Sequence, residues 1–522
     1  MSTTQLADVV ADRLPLIASA AVILGVTFVV QYFFFKDPLA NVPFVGTEFG
    51  GEEARREQFL KDAKPFYLEG FRMNKVHKVT SPRTDTTVSI PAEFLEELKR
   101  LPDDTISFGG AVNEVMAGKY TGIDGIEPTA PHLVKSHLTP ALAKINPVLT
   151  EEVARTVREE LGSLEDWTEV NIHSKLLRIV AIVSGRIFLG PELCHNEKYI
   201  ESAIYYTMEL NQGRQAIFRL PAWQRPFRAW FLPEIKNLHK REREFYALIE
   251  PIVKARREAR RSDPNYQAPD DMLTWLEESQ DKTTRKSIRE IAKLQLGLSF
   301  AAIHTTTMTT TNIIYDLAAH PEMIAELRQE ASAALAAHDG AFTAPALHTM
   351  KKMDSVMKES MRMNPAGYSA FMRKVLKPFT LSNGQEIPAG VTIEVPGYGV
   401  SRDPETFPNA DSWDGLRFFR LRESGETVGS SKQGGGRASA VEVSAQNQFV
   451  SVSKSSLGFG YGRHACPGRF FASNEVKMIL ARLVLNYDVK LAGGATERYK
   501  NIEAAGSCVP DPTKMLLFKE RA

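Results

Sequence analysis

Cysteine is scarce in this chain: among 522 residues only Cys194, Cys466 and Cys508 occur. They are too few and too scattered for a disulfide framework, which fits a reducing compartment. A charge imbalance is also missing, since 64 Lys and Arg meet 63 Asp and Glu for a formal net charge of +1. No global field draws in nucleic acid, so partners must be recognised by local surfaces. There is no internal repeat, and no glycine-rich dinucleotide fingerprint, so the chain itself should bind neither NAD nor FAD.

Long hydrophobic runs are rare too, with one exception. Leu14 to Phe35 is a stretch of 22 residues without a charge, long enough to cross about 30 Å of hydrocarbon as a helix. Asp8 and Asp12 before it and Phe33, Phe34 and Phe35 at its end argue against a cleaved signal peptide. Residues 1–36 are therefore predicted to be a membrane anchor, with the transmembrane helix at about 14–35. Lys36, Arg55, Arg56 and Lys61 after it, against Arg13 before it, favour a cytosolic body. Residues 37–46, with Pro38 and Pro43, read as a stiff connector, and 47–522 as one large domain.

Within that domain, apolar periodicity predicts helices at Pro91–Leu101, Thr150–Leu161, Asn171–Leu189, Glu197–Leu210, Leu232–Arg261 with a kink at Pro251, Lys286–Ala319 and Arg469–Leu485. Short strands are predicted at Val76–Thr80, Thr86–Ile90, Phe371–Leu381 and Thr392–Val395. The fold class is mainly α with a small β-sheet region. Arg256, Arg257, Arg260 and Arg261 suggest a nucleic-acid patch, but with Glu258 among them they read better as a solvated helix end. Ser424 to Ser456 reads as a long surface loop.

The chemistry centres on Phe459-Gly460-Tyr461-Gly462-Arg463-His464-Ala465-Cys466-Pro467-Gly468. A cysteine is usually a small buried hydrophobe. This one lies in a glycine-rich loop at the start of a helix, where backbone N–H groups and the helix dipole favour a thiolate. Phe459, Gly462, Cys466 and Gly468 fall on the F-x-x-G-x-R-x-C-x-G pattern, and the chain thereby resembles the cytochrome P-450 family of heme-thiolate monooxygenases. The resemblance implies the P-450 fold, heme b as cofactor and Cys466 as axial ligand of its iron. His464 stands where the pattern has an arginine that pairs with a heme propionate, and Arg463 beside it is a candidate substitute.

Ala301-Ala302-Ile303-His304-Thr305-Thr306 resembles the family's oxygen-activating segment. By that alignment Thr305 steadies iron-bound oxygen, and His304 replaces the usual acid in the proton relay, an imidazole being able to pass protons. A satisfied core histidine is the other reading. Glu359-Ser360-Met361-Arg362 matches E-x-x-R, and Arg417 in Trp413-Asp414-Gly415-Leu416-Arg417-Phe418 should complete its triad. The three are expected to support the heme loop without acting as acids or bases. Arg373, and His132 with Lys135, are candidate propionate partners, with a solvated surface role as the alternative. Ile303 and Ala366 to Phe371 are expected to line the substrate cavity.

The Cys466 loop, His304 and Leu138-Thr139-Pro140-Ala141-Leu142 are similar to fungal secondary-metabolism enzymes of the ent-kaurene-oxidase-like group. That resemblance implies oxidation of a lipophilic terpenoid, indole diterpene or alkaloid-like skeleton with O2. It also implies electrons from an NADPH-cytochrome P-450 reductase, with cytochrome b5 as a further donor, at the endoplasmic reticulum membrane. Two rivals stand beside it. One is an isomerase, dehydratase or ring-forming enzyme of the same fold, and the other a non-catalytic membrane heme or electron-transfer protein with a second axial ligand.

Overall fold

The computed structural model describes residues 16, 18–26, 37–80, 86–125, 127–279, 286–429 and 439–521. The helices that place the site are α1 (Thr139–Leu161), α2 (Ile172–Phe188), α3 (Glu197–Arg219), α4 (Pro233–Ser262), α5 (Ile288–Ala319), α6 (Lys351–Met363), α7 (Arg417–Ser424), α8 (Ala440–Asn447) and α9 (Arg469–Asn486). At 32 residues and about 1.5 Å per residue, α5 runs roughly 48 Å. Ser287 starts it with a capping box: its hydroxyl accepts from the Glu290 N–H while the Glu290 carboxylate accepts from the Ser287 N–H. Leu296, Ile303, Ile313 and Leu317 bury α5 in the main core, where it packs against α2, α3, α4 and α6.

The largest sheet has strands β1 (His77–Val79), β2 (Thr87–Ser89), β3 (Ile106–Ser107), β4 (Ala370–Val375) and β5 (Thr392–Val395), in the order β1-β2-β5-β4-β3. β2 and β5 pair in parallel, the other pairs antiparallel. A register shift between Ala370 and Arg373 interrupts β4. There Phe371 takes φ +54°, a left-handed conformation that costs a non-glycine residue roughly 1–3 kcal/mol.

Several expectations need correction. A second sheet of Thr168–Val170, Leu516–Glu520 and Tyr487–Leu491, and the hairpin Asn501–Ala504 with Ser507–Pro510, were absent from the sequence reading. The surface loop expected from Ser424 to Ser456 holds α8, started by its own capping box of Ser439 and Glu442. Arg256 is no solvated helix end. It is buried, donating to both Asp271 carboxylate oxygens at 2.9 and 2.8 Å and to the Leu189 carbonyl at 3.2 Å. No helix among the described residues is long and apolar enough to cross a membrane. The predicted span at 14–35 lies mostly outside the described residues; Leu16 and residues 18–26 are helical and exposed.

Candidate functional site

Cys466 sits two residues before Gly468, the cap from which α9 starts. Its N–H donates to the Phe459 carbonyl at 2.8 Å, which closes the loop into a compact turn. Gly460 and Gly462 take φ +75° and +71°, conformations that favour glycine, and a Cβ on Gly462 would lie 3.0 Å from Lys99 Cβ. Gly468 differs: its φ is −82° and a Cβ there would meet nothing within 4 Å, so no tight turn requires it. Burial pushes the Cys466 thiol pKa up, outweighing the opposing Gly468 and Arg469 N–H groups and the Arg469 charge. The residue is nevertheless exposed by surface area. The two observations agree if the sulfur opens onto an internal cavity, where solvation is poor and a cation can replace the proton.

That cavity, about 380 Å³, has Cys466, Phe459, Gly458 and Val476 on one wall. Ala301, Thr305, Met308, Thr309 and Asn312 of α5 face them. Thr305 Oγ1 donates to the Ala301 carbonyl at 2.7 Å, the turn-back bond that loosens a helix ladder. Thr309, Thr310 and Thr311 repeat it with the carbonyls of Thr305, Thr306 and Thr307. His304 does not line the cavity. Its Nε2 is 2.9 Å from the Ile204 carbonyl of α3, and burial lowers its pKa, so it is a neutral ring whose N–H is spent on protein. The arrangement matches the core reading of His304 better than the proton relay or a second axial ligand, because the ring nitrogen is engaged with the Ile204 carbonyl.

Ile303 likewise points into the core, fully buried, whereas Ala366, Gly367, Ser369 and Ala370 do line the cavity. Phe371 faces a smaller recess beside Arg373. Among the lining residues that the sequence did not point to are Asn312, Lys358 and Cys508. Spacing from Thr305 along α5 would have found Asn312, because seven residues return to nearly the same face. Cys508 arrives on a hairpin that carried no strong strand signal.

Glu359, Arg362 and Arg417 meet beneath this cavity. Arg362 grips the Glu359 carboxylate with two bonds of 2.8 and 2.7 Å, and Arg417 Nε lies 3.2 Å from both its oxygens. Arg362 also donates to the carbonyls of Ser401 and Ala410 at 2.8 and 2.7 Å. Glu359 is fully buried, so these bonds must replace the water it lost. The triad ties α6 to α7 and the segment before it.

In the smaller recess, separate from this cavity, Arg373 is 4% exposed, and its guanidinium's only hydrogen bond among the described residues runs to the Met372 carbonyl. Its guanidinium stacks 4.0 Å from the Phe371 ring and 5.2 Å from that of Phe108. Burial drives its pKa down to about 10, with the Asp103 charge pulling the other way. A buried cation with no bonded carboxylate suits an anionic ligand group. His464 stacks on Phe108 and has Nε2 2.7 Å from Asp103 Oδ1, which Arg463 Nε also reaches at 3.1 Å. Lys135 Nζ donates to the Arg463 carbonyl at 3.3 Å, and His132 is exposed. Neither Lys135 nor His132 lines the cavity. A sulfur and small residues lining one cavity, and a buried guanidinium without a bonded carboxylate in the recess beside Phe371, suit a flat, iron-centred, carboxylate-bearing macrocycle.

Residues 131–518 match the family model described as Cytochrome P450. The chain is 40% identical over 434 residues to Cytochrome P450 monooxygenase ATR3 of Stachybotrys chlorohalonatus, covering 83% of this chain and 88% of that one. It is 33% identical to Cytochrome P450 monooxygenase AN1598 of Emericella nidulans, over 98% and 93% of the two chains. Identity to Cytochrome P450 monooxygenase braC of Annulohypoxylon truncatum is 32%, over 92% and 93%. A solved structure, retinoic acid bound cyanobacterial CYP120A1, superposes with a TM-score of 0.63 at 18% identity, covering 89% of this chain and 96% of that one.

Proposed function

Because the chain belongs to the cytochrome P450 family and is a monooxygenase with a thiolate-ligated heme, we propose that it oxidises a lipophilic secondary metabolite, of terpenoid, indole diterpene or alkaloid-like skeleton, in a fungal pathway. The observation that carries this reading is the cavity lined by both Cys466 and Thr305, whose exposed wall is mostly apolar, with Ala301, Met308, Met361, Phe449, Phe459 and Val476 set among Ser and Thr residues. Such walls recognise carbon skeletons by shape and exclude water from the reacting position.

Heme held through sulfur supplies the activation of O2 and the insertion of one oxygen atom into substrate. The chain's own residues do the rest. Cys466 would supply the thiolate ligand, and the N–H groups of Gly468 and Arg469 would stabilise that charge. Thr305 holds a hydroxyl at the cavity surface, already bonded to the Ala301 carbonyl, from which it can offer a lone pair or swing its proton inward. Ala301 would leave room for the macrocycle beside α5, and Arg373 would offer its charge to an acidic substituent of it. The Glu359 triad holds α6 to α7 and to the segment before it.

Electrons come from a redox partner, which we assign to NADPH-cytochrome P-450 reductase with cytochrome b5 as a second donor. The uncharged run of residues 14–35 supports the part of this reading that anchors the chain at the endoplasmic reticulum membrane. Support for a membrane setting comes also from the connector between α3 and α4, where Trp223, Phe227 and Phe231 are each more than two-thirds exposed beside Arg225 and Arg228. Aromatic and basic residues together suit a lipid interface.

The test is expression of the full chain with a reductase and a panel of terpenoid and indole diterpene precursors, with products analysed by mass. Expected is a product heavier by one oxygen, with O2 and NADPH consumed. Turnover without O2 consumption would instead favour the isomerase reading. Oxidation of hydrophilic substrates alone would remove the proposed class, and recovery of the chain away from membranes would remove the anchor.

A further inference from the structure

Asn312 lies seven residues beyond Thr305 on α5 and lines the same cavity. Seven helical steps come back to within about 20° of one face and advance roughly 10 Å along the axis. The orientation of the Asn312 amide is fixed by a partner from the C-terminal region. Arg498 Nη2 donates to Asn312 Oδ1 at 2.6 Å. Arg498 cannot turn away easily, because it is also bound to the Asp316 carboxylate, the Tyr499 carbonyl and, at 3.2 Å, Asn501 Oδ1. A guanidinium only donates, so the amide oxygen must face it and the amide nitrogen must face away. No described residue accepts a hydrogen bond from that nitrogen.

Four neighbouring polar side chains each spend a donor on protein. Thr305 and Thr309 donate to carbonyls of their own helix, Ser401 to the Tyr398 carbonyl, and Asn364 Nδ2 to the Ser360 carbonyl. A free hydroxyl could rotate to donate or accept, but the Asn312 amide is locked as a donor. In a mainly apolar cavity, a donor held in one orientation discriminates strongly, because a ligand that leaves it unpaired forfeits its solvation.

We propose that Asn312 Nδ2 binds an acceptor oxygen of the substrate, a carbonyl, ester or ether, and so selects which carbon is presented for oxidation. This rests on the heme-thiolate reading, which puts the reacting carbon opposite Thr305. The acceptor oxygen and the oxidised carbon then lie on the order of 10 Å apart along α5. Substrates are thus carbon skeletons already oxygenated at one end, and the reaction preceding this one is of the class that installs that oxygen. Arg498 is a positioning residue, acting through Asn312.

The experiment uses the full-length heme-loaded protein and three probes of one rigid terpenoid skeleton: the ketone, the corresponding alcohol and the parent hydrocarbon. Dissociation constants are measured by equilibrium dialysis, which needs no turnover. The ketone is expected to bind about tenfold more tightly than the hydrocarbon, the value of one well-placed neutral hydrogen bond. Asn312→Leu should abolish that preference. Asn312→Asp, nearly isosteric and still paired with Arg498, should shift it from ketone toward alcohol. Equal binding of ketone and hydrocarbon by the parent protein, or an undiminished ketone preference in Asn312→Leu, overturns the proposal. The reduced, carbon-monoxide-treated spectrum is recorded for each sample. Loss of the thiolate-type adduct in the parent protein would defeat the heme reading and this inference with it, whereas an intact adduct with unchanged discrimination defeats the Asn312 role alone.

Discussion

Ser184 of α2 donates to Glu475 Oε1 of α9 at 2.8 Å, while Glu475 Oε2 is buried without a partner. One hydroxyl cannot solvate a carboxylate, and burial pushes the Glu475 pKa up to about 8. The group is folded neutral and unfolds into water, where its pKa is about 4.3. Its contribution to stability is complete below that value and is lost as pH rises toward 8, at roughly 1.4 kcal/mol per pH unit. Glu475→Gln removes the titration. Thermal melts from pH 5 to pH 8 should show the variant losing less stability than the parent, and parallel curves would refute the assignment.

The triad yields a prediction about heme retention. Glu359→Ala would leave the guanidiniums of Arg362 and Arg417 buried without their shared carboxylate, a loss of about 3–5 kcal/mol. The expected result is protein that accumulates poorly and carries little heme per chain, measured by the ratio of heme to protein absorbance. Arg417→Lys keeps the charge but not the second contact to the carboxylate, and should fall between the parent and Glu359→Ala.

Thr305 and His304 are adjacent in sequence and point in different directions, so their variants should separate. Thr305→Ala removes a cavity hydroxyl and is expected to lower product formed per NADPH by about an order of magnitude, less than the roughly 10²–10⁴-fold of a full general acid or base because water can take the place of the hydroxyl. His304→Gln retains a side-chain donor for the Ile204 carbonyl and should leave that ratio unchanged. His304→Ala should cost about 1–2 kcal/mol of stability through the unpaired carbonyl, again with the ratio kept. A fall in coupling for His304→Gln would restore the relay.

How far the sequence carried depends on whether a signal is local. The Cys466 loop, α5 and the pairing of Glu359 with Arg362 are read from neighbouring residues or from one helix period, and their elements appear where expected. Arg417, more than fifty residues from Glu359, was reachable only through family resemblance. Side-chain direction was not legible: nothing local says that His304 turns to Ile204 while Thr305 faces the cavity. Nor could composition reveal that Arg256 is buried, because its partners Glu192 and Asp271 come from other segments. The region after Ser424 reads as loop by its Ser and Gly content, yet Ser439 and Glu442 cap a helix there, a four-residue signal that the surrounding composition masks.

Arg373 gives a prediction in which two properties move in opposite directions. In the protein alone its guanidinium is buried against Phe371 and Phe108 without a bonded carboxylate, a desolvation cost that stability must absorb. A heme carboxylate would supply the missing partner and recover that cost. Arg373→Met keeps the length and the contact with the rings but removes the charge. The heme-free variant should therefore melt at the same temperature as the heme-free parent or a few degrees higher. The heme-loaded variant should release heme to an excess of a competing heme-binding protein at least tenfold faster, the consequence of losing a charge-assisted bond. If both forms were destabilised alike, Arg373 would be a packing residue whose charge has no ligand to meet.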